Sequence, residues 1–71
     1  MITYDKLWKK LSEKGISQYK LINEYDFSPS MITRLKRNEI VKTRVLDTLC
    51  YILDCDIGDI AEHIKEKGTA E

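Results

Sequence analysis

Long apolar runs are missing from this 71-residue chain. No stretch is long enough to span a membrane or to serve as a signal peptide, so the expected location is the cytoplasm. Cysteine is scarce: Cys50 and Cys55 fall far short of a disulfide framework. Their C-x4-C spacing, with one remote histidine at His63, does not match a zinc site, so no metal and no cofactor is expected. The two thiols read as reduced side chains, buried or half-buried. Glycine and proline are few, with Gly15, Gly58, Gly68 and Pro29 the whole complement, and no segment sustains the alternation of a strand. The class is therefore all-α. A chain this short buries only about 60–65% of its unfolded surface, which leaves room for one simple core and argues against a large cleft enzyme. Catalytic groupings are lacking too. Asp54 and Asp56 flank a helix start, where carboxylates are expected as caps, and His63 has no partner at a useful spacing and reads as a solvent-facing residue of the last helix.

Net charge is also absent, with 12 basic and 12 acidic residues, but the balance is local nowhere. Residues 1–27 sum to +1. Between 28 and 44, Arg34, Lys36, Arg37, Lys42 and Arg44 stand against Glu39 alone, a sum of +4. From residue 45 onward, seven carboxylates face Lys65 and Lys67, a sum of −5. A local basic patch, rather than total charge, is what can attract an anionic partner.

What the chain does contain is a repeated helix-start device: an apolar residue, a cap, and a second apolar residue four positions after the cap. It occurs as Ile2-Thr3…Leu7, Ile16-Ser17…Leu21, Phe27-Ser28…Ile32, Val41-Lys42…Leu46 and Cys55-Asp56…Ile60. The fourth is weakest, because lysine caps poorly and Thr43 could serve instead. Five helices follow, over 4–13, 18–25, 29–37, 43–53 and 57–65, in one domain of residues 1–66 with a short polar tail at 67–71. Helical spacing assigns the core to Leu7 and Leu11; Leu21 with Ile22 or Tyr25; Ile32 and Leu35; Leu46, Leu49 and Leu53; Ile57 and Ile60. Trp8 is expected to cover its edge.

The second and third helices are separated by Asp26-Phe27-Ser28, the short connection of a helix-turn-helix unit. With Ser30 as origin, Ile32 and Leu35 fall at about 200° and 140°, whereas Thr33, Arg34 and Arg37 fall at about 300°, 40° and 340°. One side is apolar and the other polar and basic. Ser28 caps this helix and Pro29 occupies its first position, where a missing N–H costs nothing. Ser30, Thr33 and Arg34 on its first turns suit base edges in a major groove, and Arg34 can hold guanine with two hydrogen bonds. Lys36, Arg37 and Lys42 lie further along and suit phosphates; Ser28 is counted with these backbone contacts. Met31 reads as packing.

The pattern Gly15-Ile16-Ser17-Gln18, Leu21, Phe27-Ser28-x-Ser30-x-Ile32-x-x-Leu35, Val45-Leu46-x-x-Leu49 and Leu53-x-Cys55-x-Ile57-x-Asp59-Ile60 resembles the Cro/CI-type, or XRE-type, helix-turn-helix regulators of bacteria and their phages. The ending LCYILDCDIGDI is similar to their small stand-alone members. The resemblance covers about residues 4–62. It implies a compact five-helix, lambda-repressor-like domain that binds double-stranded operator DNA, usually as a homodimer, to regulate transcription, with repression expected here. It also implies a backbone contact from Gln18, base contacts from Pro29, Ser30, Thr33 and Arg34, and a phosphate contact from Arg37. The family commonly has a left-handed glycine where Asp26 stands, alanine at Ile22 and glutamine at Pro29.

A single domain this small needs a second copy to read two half-sites about 34 Å apart. The expected pairing surface is the fifth helix around Ile57, Ile60 and Ile64, and no small-molecule ligand or membrane contact is expected. The competing expectation is a protein-binding module, an antitoxin-like or anti-regulator subunit, using the acidic C-terminal half and exposed aromatics at Tyr4, Trp8, Tyr19 or Tyr51. The basic and hydroxyl-bearing side of the third helix favours DNA.

Overall fold

A computed structural model describes residues 1–65 and places four helices and two very short strands around one core. The elements are β1 (Ile2–Thr3), α1 (Asp5–Glu13), α2 (Gln18–Glu24), α3 (Pro29–Lys36), α4 (Thr43–Leu53), a one-turn 3-10 helix (Ile57–Asp59) and β2 (Glu62–His63). The mostly helical class holds. The expected tail at 67–71 lies outside the described residues.

Helix starts follow the side-chain chemistry. Ser17 accepts the Lys20 N–H at 3.0 Å and Ser28 accepts the Met31 N–H at 3.2 Å, each satisfying an amide that the helix itself leaves unpaired. Lys42 precedes α4 without a side-chain cap bond, as its chemistry requires.

Helix ends share a second device. After α1, α3 and α4 one residue turns left-handed: Gly15 (φ 70°), Asn38 (φ 57°) and Asp54 (φ 52°). The next amide then reaches back five residues, Ile16 to the Leu11 carbonyl (2.9 Å), Glu39 to Arg34 (2.9 Å) and Cys55 to Cys50 (3.0 Å). The left-handed residue's own amide reaches back three, to Ser12, Leu35 and Tyr51. This paired closure satisfies the last carbonyls, and glycine, asparagine and aspartate are the residues that tolerate the conformation best.

Two expectations fail at the ends of the chain. The fifth helix over 57–65 forms only its first turn. Its start is as expected, with Asp56 Oδ1 accepting the Ile57 N–H at 2.9 Å and Asp59 Oδ2 accepting the Asp56 N–H at 3.0 Å. Beyond it, Glu62 and His63 pair antiparallel with Thr3 and Ile2, so backbone groups that a helix would have used are bonded to the first strand instead. Long-range pairing here overrides a local helical pattern. For the same reason Thr3 is a buried strand residue, not a cap, and its hydroxyl finds no partner among the described residues. Tyr4 precedes α1 without a side-chain cap bond. His63 is exposed, as expected, but on a strand.

Of the expected core, Leu7, Leu11, Leu21, Ile32, Leu35, Leu49, Leu53 and Ile60 are buried, while Leu46 is half-buried and Ile57 is exposed. Tyr4 and Phe27 complete the core, and Trp8 packs half-buried against it. Tyr4 is thus no exposed contact aromatic: burial raises its phenol pKa, and its hydroxyl donates to the Glu39 carbonyl at 3.1 Å.

Candidate nucleic-acid interface

α3 is positioned by its apolar side. Ile32 and Leu35 sit in the core at 4% and 0% exposure, and Ser30, Thr33, Arg34 and Arg37 are all exposed on the opposite side. The turn before it depends on Asp26, which adopts φ 64°. The flanking amides of Tyr25 and Phe27 both donate to the Leu21 carbonyl, at 3.2 and 3.1 Å. The left-handed position commonly filled by glycine is therefore filled by a carboxylate residue, next to a helix start where negative charge is favoured.

The first turn of α3 is dense in hydroxyls. Ser28 and Ser30 Oγ atoms lie 3.1 Å apart, and Thr33 Oγ1 donates to the Pro29 carbonyl at 3.1 Å. Ser28 accepts the Met31 N–H as a cap and keeps its hydroxyl hydrogen for Ser30 or an outside acceptor. Thr33 keeps its oxygen lone pairs and its methyl group for an outside partner. Arg34 forms no ion pair among the described residues, so its guanidinium fork is unengaged. Arg37 Nη1 lies 3.8 Å from Glu39 Oε2, with both side chains largely exposed. Basic residues in the last turn of a helix also suit its dipole, so the charges on α3 have a structural use as well.

The expected contact residues are not equally gathered. Pro29, Ser30, Thr33, Arg34, Lys36 and Arg37 share α3, and Lys42 stands exposed just before α4. Gln18 is exposed at the first position of α2, with no hydrogen bond tying it to α3. Arg44 joins the set: in the first turn of α4 it lines, with Asp26, Ser28 and Met31, a shallow groove of about 270 Å³. Its charge was visible in the sequence, but not the packing of α4 that brings it beside the turn. Among the described residues no group of three or more metal-ligating side chains gathers, and no helix is long and apolar enough to cross a membrane.

A family model described as the Cro/C1-type HTH DNA-binding domain matches residues 6–66. No curated protein matches the chain. Among solved structures, the crystal structure of the transcriptional regulator VanUg superposes with a TM-score of 0.82 at 37% identity, covering 92% of this chain and 87% of that one.

Proposed function

Because the chain belongs to the Cro/C1-type helix-turn-helix DNA-binding family, we propose that it is a sequence-specific transcriptional regulator that lays α3 into the major groove of its operator as a homodimer. Ser30, Thr33 and Arg34 meet base edges, with Pro29 adding an apolar contact at the helix start. Gln18, Ser28, Lys36, Arg37, Lys42 and Arg44 hold the phosphates and set the register. Repression is the sign we assign, since occupying a promoter site requires no activity beyond binding. The observation that carries the reading is the division of α3 into a fully packed side and a side of exposed hydroxyl and guanidinium groups.

The test is binding to random-sequence duplex over a salt series, followed by selection of preferred sites. A dimer with about 6–8 phosphate contacts gives a log–log slope near −5 to −7. Selected sites should be two-fold symmetric. Binding that ignores salt, or no binding, overturns the reading.

A further inference from the structure

Cys50 and Cys55 are the protein's two cysteines, and the closure of α4 sets them beside each other. In a helix end closed this way, the residue whose amide reaches back five positions commonly packs on the residue that accepts it. At α1 that pair is Leu11 and Ile16, both apolar; at α4 it is Cys50 and Cys55. Both cysteines are free and pack half-buried against the core. We propose that Cys50 and Cys55 are a redox modification site, closing into a reversible intramolecular disulfide when the chain meets a low-molecular-weight disulfide. The inference goes beyond the DNA-binding reading and does not rest on it.

Three observations carry it. The first is reach. With the Cys55 N–H on the Cys50 carbonyl at 3.0 Å, covalent geometry caps the separation of the two Cα atoms at about 6.9 Å, and the bend at each atom brings it lower, into the roughly 4.4–6.8 Å that a disulfide spans. The second is the thiols themselves. Burial first, and then Cys55 through its charge and a side-chain hydrogen bond, raises the Cys50 pKa, so the side chains are neighbours as well as the backbones. The third is access. Half-buried thiols admit a small reagent, and among the described residues no group of three or more His, Cys, Asp and Glu side chains gathers to claim them for a metal.

The exchange takes two steps. One cysteine thiolate attacks a sulfur of the small disulfide, whose S–S bond breaks and releases a thiolate that takes up the proton the cysteine gave up. The other cysteine, deprotonated in turn, attacks the protein sulfur of the mixed disulfide; the bond between Cys50 and Cys55 forms and a second small thiol leaves. The protein loses two electrons and two protons, and the small disulfide becomes two thiols. In a reducing compartment the reverse reaction restores both cysteines, as for other transient disulfides. The new bond closes over left-handed Asp54 and ties the end of α4 to the Asp56 cap and the one-turn helix that follows. The groove beside the turn before α3 is lined by Arg44, Val45 and Thr48, towards the other end of α4. Oxidation therefore acts on the C-terminal closure and leaves the contact side of α3 in place.

The test equilibrates the full chain, in native buffer and again in denaturing urea, with graded mixtures of reduced and oxidised glutathione, then blocks free thiols with N-ethylmaleimide and weighs the products. A single chain lighter than the reduced form by two hydrogens, with no thiol left to block, should appear in one transition. Because the folded pair is already held together, its equilibrium constant for closure should exceed the one in urea by about 10-fold or more. Cys50→Ser and Cys55→Ser should each stop at the glutathione adduct. Disulfide-linked pairs of chains, wild-type adducts that never close, or a constant no larger in native buffer than in urea would overturn the proposal.

Discussion

Asn38 is the residue whose replacement should reveal most about how α3 is held. It closes the helix at φ 57°, and its Oδ1 accepts the Tyr4 N–H at 2.9 Å across 34 positions of sequence. Alanine at this position loses both features. The left-handed conformation costs alanine about 1 kcal/mol more than asparagine, whose short polar side chain can hydrogen-bond locally, and the Tyr4 amide, on a residue only 3% exposed, is left without an acceptor at about 1–3 kcal/mol. Asn38→Ala should therefore destabilise the fold by about 2–4 kcal/mol. Asn38→Gly keeps the backbone conformation and removes only the acceptor, so it should cost roughly 1 kcal/mol less than alanine. Asn38→Asp retains both features and should lie closest to the wild type. Urea unfolding followed by circular dichroism measures the series, with an unchanged m-value showing that stability alone has moved. An alanine variant within about 0.5 kcal/mol of the wild type, or a glycine variant less stable than alanine, would refute the assignment.

Asp26→Gly removes the Cβ from the left-handed turn residue and should stabilise the protein by up to about 1 kcal/mol in the same assay; a clear loss would show that the carboxylate itself supports the turn. Arg34→Ala should relax base preference at one position per half-site by about 1–3 kcal/mol, whereas Arg37→Ala should weaken all sequences alike; equal losses everywhere would reduce Arg34 to another phosphate contact. Glu39→Gln removes the carboxylate 3.8 Å from Arg37 and should tighten DNA binding several-fold at low salt, an advantage that fades as salt rises; unchanged affinity would place Arg37 away from the backbone. Burial, and secondarily the neighbouring Cys55, pushes the Cys50 thiol up, so alkylation at neutral pH should be slower than for free cysteine, with the gap closing as pH rises.

The helix starts were legible because serine and aspartate caps act within three residues of themselves, and Ser17, Ser28 and Asp56 all cap as their spacing indicates. The two sides of α3 were legible for the same reason: a helix turns 100° per residue whatever surrounds it. Sequence was silent where partners are distant. Tyr4 looked like an exposed aromatic because nothing near it in sequence shows that Asn38 and Glu39 bond to it. The isoleucines at 57, 60 and 64 have helical spacing, yet pairing with β1 decides their fate. Arg44 was visible as charge, but its place beside the turn depends on how α4 packs.

The meeting of the chain's two ends also bears on the order of folding. The Met1 amino group donates to the Ile64 carbonyl at 2.7 Å, a contact spanning 63 positions in a protein otherwise built from local helices. Closing so long a loop from an open chain costs about 4 kcal/mol in entropy beyond the fixed term, so the two strands should zip only after the helices have packed and brought them near. Met1 and Ile2 line a groove with Ile40 and Ile57, which is therefore complete only once the two strands have paired. A chain caught part-way through folding would lack that surface.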